Sequence, residues 1–216
     1  MRLIRLFYEP SQVFTELRDA GCVPALTACI ALSLLSSAIF LNAVGPEAIA
    51  RVAEVAGNPG IGGPALVLGF YLVKPILMVM GLLVTATVLW AVLRITKTGS
   101  SYRTVLAVCS YAAYAREAVK CLLTVVAVTY SHLFHTPLRS VVTDATVFLS
   151  GAGTNRLVYR LLSDLDGLTL GFLTLVTIGL WKTSPNLRLQ KAAEVVSASW
   201  LTYCCAEICL VALRFV

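Results

Sequence analysis

Residues 64–93 read PALVLGFYLVKPILMVMGLLVTATVLWAVL, and Lys74 is the only charge in the run. A helix needs about 20 largely apolar residues to cross the hydrocarbon core of a bilayer, so this stretch predicts a membrane-spanning helix. Its unbroken apolarity argues against a barrel strand, which alternates lipid-facing and lumen-facing side chains. Four more stretches reach the same length: Val23–Val44, Thr104–Phe134, Leu161–Trp181 and Ala192–Val216. The fold class expected is therefore all-α, a polytopic membrane protein with about five transmembrane helices. Four spans is the competing count, with the third or fifth segment partly in the interface. The third segment holds Arg116, Glu117 and Lys120 and reads either as two half-helices or as one helix facing a polar interior.

The composition agrees. The 216 residues are 58% hydrophobic and 13% charged, with a mean hydropathy of +0.85. Soluble domains run at about 45–50% apolar and about a quarter charged. A soluble enzyme, a secreted disulfide scaffold and a disordered tail are excluded. The net charge of +6 carries no aromatic–basic interleaving, so no nucleic-acid partner is expected. Membrane lipids are.

Residues 1–21 differ from the rest. Leu3, Leu6, Phe7, Val13, Phe14 and Leu17 recur at helical spacing among Arg2, Arg5, Glu9, Glu16, Arg18 and Asp19, with a break and restart at Pro10 and Ser11. A cleaved signal peptide has an early apolar core, and here that core begins only after Gly21. The segment is expected to be a cytoplasmic amphipathic helix lying in the membrane interface, ahead of a five-helix domain over 22–216. Two other readings compete: the same apolar residues pack on the protein's own helices as a lid, or the terminus is a poorly ordered polar one.

Lys and Arg in short loops orient the spans. With five spans, one side carries Arg2, Arg5, Arg18, Arg94, Lys97, Arg103, Lys182, Arg188 and Lys191. The other carries Arg51, Arg139, Arg156, Arg160 and Arg214. That nine-to-five bias predicts a cytoplasmic N-terminus and a C-terminus on the far side. Two far-side loops are sizeable. Asn42–Gly63 includes a short amphipathic stretch, Pro46–Ala56, and His135–Arg160 includes the mildly apolar Val141–Leu149, a lid candidate that reads equally as a plain connection.

Ionisable groups at membrane depth are costly and need partners or water. The candidate intramembrane polar cluster is Lys74, Arg116, Glu117, Lys120, Asp164, Asp166 and Glu207. Arg116 and Lys120 share a helix face, with Glu117 three residues before Lys120. Asp166 suits a helix N-cap, whereas Asp164 is assigned to an ion pair with Arg116 or Lys120, with cation binding as the other reading. Lys74 precedes Pro75, a helix-interior proline that clashes with the Tyr71 carbonyl. A lysine beside such a kink reaches a carbonyl, a carboxylate or a water cavity, or it snorkels to the interface.

No nucleophile–base constellation, phosphate loop or Cys-x-x-Cys pair occurs. Among the seven cysteines, Cys109, Cys121, Cys205 and Cys209 read as small buried residues. His132 and His135 read as ordinary interfacial histidines. No metal, no cofactor and no catalytic activity are expected. Gly69, Gly81, Ala112, Ala113, Gly171 and Gly179 suit close helix packing and homo-oligomers, and other membrane proteins are possible partners.

Three ordered motifs carry a family resemblance. Tyr8-Glu9-Pro10-Ser11-Gln12-Val13-Phe14, followed by Pro24, opens the chain; Ser101-Tyr102-Arg103-Thr104-Val105-Leu106 runs into Ser110-Tyr111-Ala112; Leu165-Asp166-Gly167-Leu168 precedes Gly179-Leu180 and Lys191-Ala192. Together they resemble the Yip domain family, membrane proteins named for interaction with Ypt/Rab GTPases, in its shorter bacterial form. The resemblance implies a five-helix domain of a bacterial inner membrane that scaffolds or shapes bilayers without chemistry. The Asp-Leu-Tyr-Gly-Pro type of motif of eukaryotic members is absent, the nearest string being Asp164-Leu165-Asp166-Gly167, so GTPase binding is not carried over. The competing function is a small-solute or ion transporter using the polar cluster. A cavity reaching that cluster favours transport, and closed internal ion pairs favour a scaffold.

Overall fold

The computed structural model describes residues 2–17, 21–44, 63–134, 166–184 and 186–213. Among these residues every element is helical: α1 (Arg2–Arg5), α2 (Pro10–Glu16), α3 (Val23–Val44), α4 (Gly63–Ile95), α5 (Tyr102–Phe134), α6 (Gly167–Thr183) and α7 (Leu189–Leu213). Within the described residues, each of the five apolar segments forms one helix. The charged third segment is not divided: α5 runs for 33 residues, about 50 Å at the α-helical rise. α4 likewise continues through Pro75.

Three helices are long and apolar enough to cross a membrane: Val23–Ala43, Val73–Ile95 and Tyr102–Phe134. α6 has 17 residues, about 26 Å, short of the roughly 30 Å hydrocarbon core. Residues 161–165, which the sequence reading placed at its start, lie outside the described residues. α7 spans 25 residues, with Gln190, Lys191 and Glu194 in its first turns.

α5 is the hub on which α3, α4 and α6 all pack. The reason lies in its composition. Ala107, Cys109, Ser110, Ala112, Ala113 and Ala115 are small and buried, with Val105, Val108 and Tyr111 between them. This first half of α5 is buried around its circumference, as a core helix is, and its small side chains let neighbouring backbones approach closely, whereas Leu122, Val126 and Leu133 farther along are exposed.

One end of the bundle gathers most of the described basic side chains. The Ser100 and Ser184 hydroxyls lie 2.6 Å apart, joining the end of α4 to the end of α6. A Cβ on Gly21 would stand 3.8 Å from Arg103 Nη2, which places the starts of α3 and α5 together. α7 starts a few residues beyond Ser184. Arg94, Lys97, Arg103, Lys182, Arg188 and Lys191 therefore share this end, whereas Arg2 and Arg5 lie on α1, which packs on α5 farther along, near Tyr111 and Tyr114. The ninth basic residue of that set, Arg18, and all five assigned to the opposite side lie outside the described residues, as do the two long loops.

The N-terminal arm differs from the interfacial helix expected for it. It forms two short helices broken before Pro10, and its apolar face turns inward. Leu6, Val13, Phe14 and Leu17 are at most 1% exposed and join a single core with the bundle. The physical cause is at Gly179, where the missing side chain leaves a seat on α6 that Phe14 and Val108 fill from two sides. Ile4, Phe7 and Tyr8 are the arm's outward apolar residues. On the same outer surface Glu16 accepts from Arg2 at 3.2 Å and from Arg5 at 3.1 Å. The Glu16 charge holds the Arg5 guanidinium above its ordinary pKa.

Candidate functional site

α4, α5, α6 and α7 enclose a groove of 490 Å³, within the roughly 300–1,000 Å³ of small-molecule sites. Leu77, Met78, Gly81, Leu82, Val84, Thr85, Val88 and Leu89 line it from α4. Ala113, Arg116 and Glu117 come from α5; Thr169, Phe172, Leu173 and Val176 from α6; Val196, Ser199, Trp200 and Tyr203 from α7. The lining is mostly apolar, with one charged pair.

The mouth of the groove is apolar because α4 and α7 turn Leu77, Val84, Val88 and Tyr203 outward there. Its width comes from Gly81, where no atom lies within 4 Å of the position a Cβ would take. Two of the hydroxyls along the walls are already used: Thr85 donates to the Gly81 carbonyl and Ser199 to the Val195 carbonyl, each at 2.8 Å.

Arg116 and Glu117 are different. Glu117 is 9% exposed, and its Oε2 is buried without a hydrogen-bond partner, as is Arg116 Nε. Among the described residues neither side chain has an opposite charge within 4.0 Å. Glu117 lies about 22 Å along α5 from Tyr102, in the middle of the helix. A buried ion left without a partner costs several kcal/mol, and among the described residues this pair has none.

Of the remaining members of the expected cluster, Lys74, Lys120 and Asp166 are described. Lys74 projects from α4 toward α3 and donates to Ser37 Oγ at 3.1 Å; Lys120 and Glu117 are the nearest charges acting on it. Lys120 itself is exposed. Asp166 caps α6, its carboxylate accepting from the Leu168 amide at 3.0 Å. Asp164, the expected ion-pair partner of Arg116 or Lys120, lies outside the described residues, and so does the side chain of Glu207 on α7.

A second polar seam was not anticipated. Ser33, Ser36 and Ser37 of α3 are buried, and they face α4 and α5. Ser37 donates to the Ser33 carbonyl at 2.9 Å and accepts from Lys74, while the Ser36 and Thr124 hydroxyls lie 3.2 Å apart. The signal was present in α3 as serines three and four residues apart in an apolar helix, the spacing of interhelical contact.

The cysteines fall into two groups. Cys109 and Cys121 are buried as expected, but Cys205 and Cys209 are exposed on the outer side of α7. Among the described residues no three His, Cys, Asp or Glu side chains converge as metal ligands.

No family model matches the chain, and no curated protein or solved structure matches it.

Proposed function

We propose that the chain is a five-span membrane protein that works by binding, taking a membrane-dissolved amphiphile into the groove over Glu117. α6 and α7 are the fourth and fifth spans, the basic end lies in the cytoplasm, and the membrane is a bacterial inner membrane of the kind the Yip resemblance implies. The observation that carries the reading is the Arg116–Glu117 pair lining an apolar groove with no ionic partner among the described residues. A closed scaffold would have neutralised these groups with internal ion pairs. An open groove leaves them for a ligand.

The same observation sets the ligand class. In a bilayer the apolar mouth borders lipid, so the occupant arrives laterally and brings an apolar body. Its polar group meets the Arg116 and Glu117 side chains that line the groove, one a donor and the other an acceptor. A hydroxyl or amide satisfies both, since each donates and accepts. A protein that holds such an amphiphile organises or carries lipid without catalysing a reaction.

Trp200 reports on occupancy because it lines the groove. With Trp90 and Trp181 replaced by Phe, mid-chain brominated lipid is expected to quench Trp200 fluorescence, and Gly81→Phe to reduce that quenching by filling the groove. Quenching of equal depth in the Gly81→Phe protein overturns the reading.

A further inference from the structure

A second pocket, of 340 Å³, lies at the basic end and is lined by Trp90, Arg94, Lys97, Gly99 and Ser100. It is separate from the groove, since the two share no lining residue. Two cations converge on it, and among the described residues neither Arg94 nor Lys97 has a carboxylate within 4.0 Å. Arg94 lies over the Trp90 ring at 5.1 Å, and Trp90 meets Tyr102 edge-on at 5.8 Å.

The walls are built. Thr98 is buried, and its hydroxyl and amide both donate to the Leu93 carbonyl, at 2.8 and 3.1 Å. Ser100 is tied to Ser184 across the end of the bundle. Lys97 and Gly99 both take positive φ, +54° and +73°, and for Lys97 this is an uncommon backbone state for a side chain. A cation in the last turn of a helix also complements the helix dipole, which accounts for Arg94. It does not account for Lys97, which stands beyond the end of α4 in this strained turn.

We infer that this pocket binds a phosphate group at the membrane face, presented by an anionic lipid headgroup. Arg94 supplies a planar fork of donors and Lys97 a point charge, the two ways proteins hold phosphate. Trp90 and Tyr102 sit where aromatic side chains mark the headgroup level, and basic pockets between helices at that level take anionic headgroups. The lipid is chosen over a soluble phosphate ester because the aromatic pair borders the cations on the helix side.

The full-length protein in neutral detergent is titrated with phosphatidylglycerol, phosphatidylcholine and inorganic phosphate, with bound species counted by native mass spectrometry. Phosphatidylglycerol is expected to bind in preference to phosphatidylcholine. Arg94→Gln and Lys97→Gln should each weaken it about fivefold, while Arg188→Gln, at the same end but outside the pocket, should leave it unchanged. Melting temperatures show that each variant is folded. Competition by inorganic phosphate alone, abolished in the same two variants, would keep the phosphate site and move its source from lipid to solution. Equal losses in Arg188→Gln, or none in the two pocket variants, overturn the inference.

Discussion

Phe14 on the N-terminal arm lies against Gly179 of α6 so closely that a Cβ at position 179 would stand 3.0 Å from its Cε1, with Val108 of α5 closing the other side. Three elements meet at that one missing side chain. Residues 2–17 are thereby held on the bundle by packing more than by the exposed Arg2, Arg5 and Glu16 charges, since ion pairs on an exposed surface add little.

Phe14→Ala is expected to cost about 3 kcal/mol, the range of a large core aromatic cut to a methyl group. Gly179→Ala should also destabilise, because both neighbours of the new methyl group are fully buried. Detergent melting and limited proteolysis of the arm check this. A Gly179→Ala protein with unchanged melting and an uncut arm would mean that the seat is looser than the structure has it.

Asp166→Ala should cost about 1 kcal/mol, and Asp166→Asn close to nothing, since Asn caps helices as well as Asp does. A large loss in Asp166→Asn would show that its charge, and not only its cap, is needed.

Lys74 is half-buried and its partner is a neutral hydroxyl, Ser37. Lys74→Met keeps the stem and removes the charge, so stability in detergent is expected to hold or rise. A clear fall in Tm would point to a carboxylate partner for Lys74.

How much of this was legible in the sequence follows from what each signal measures. Continuous apolar runs delimit helices well, and α3 matches its expected range, Val23–Val44. The charges of α5 did not break it, because Arg116 and Glu117 turn toward a groove, where the helix needs no interruption. The amphipathic pattern of residues 1–21 identified Leu6, Val13, Phe14 and Leu17 as side chains that would be covered, but it also included Phe7, which turns outward, and it did not say what would cover them. Lipid and α6 present the same apolarity, and only the seat at Gly179 distinguishes them. The seven-residue polar cluster was assembled from charge and depth alone. Among its described members Lys74 donates to Ser37 of α3, Arg116 and Glu117 line the groove and Asp166 caps α6, and no periodicity in single segments reports how helices are rotated against one another.

Reporters fused to the two ends test the five-span arrangement. The account expects a cytoplasm-only reporter to work at the N-terminus and to fail at the C-terminus, because α7 starts at the basic end. Activity at both ends means an even number of spans.

The claim that the groove over Glu117 holds an amphiphile is tested most directly by native mass spectrometry of the protein released from its own membrane. The account predicts a bound molecule beyond the detergent in the wild type, lost in Gly81→Phe, which fills the groove, and lost or much reduced in Glu117→Gln, which keeps the shape and removes the charged acceptor. Both variants should melt no lower than the wild type, since neither breaks an existing contact of the described residues. An equally occupied Gly81→Phe protein, or a wild type that carries nothing, would contradict it.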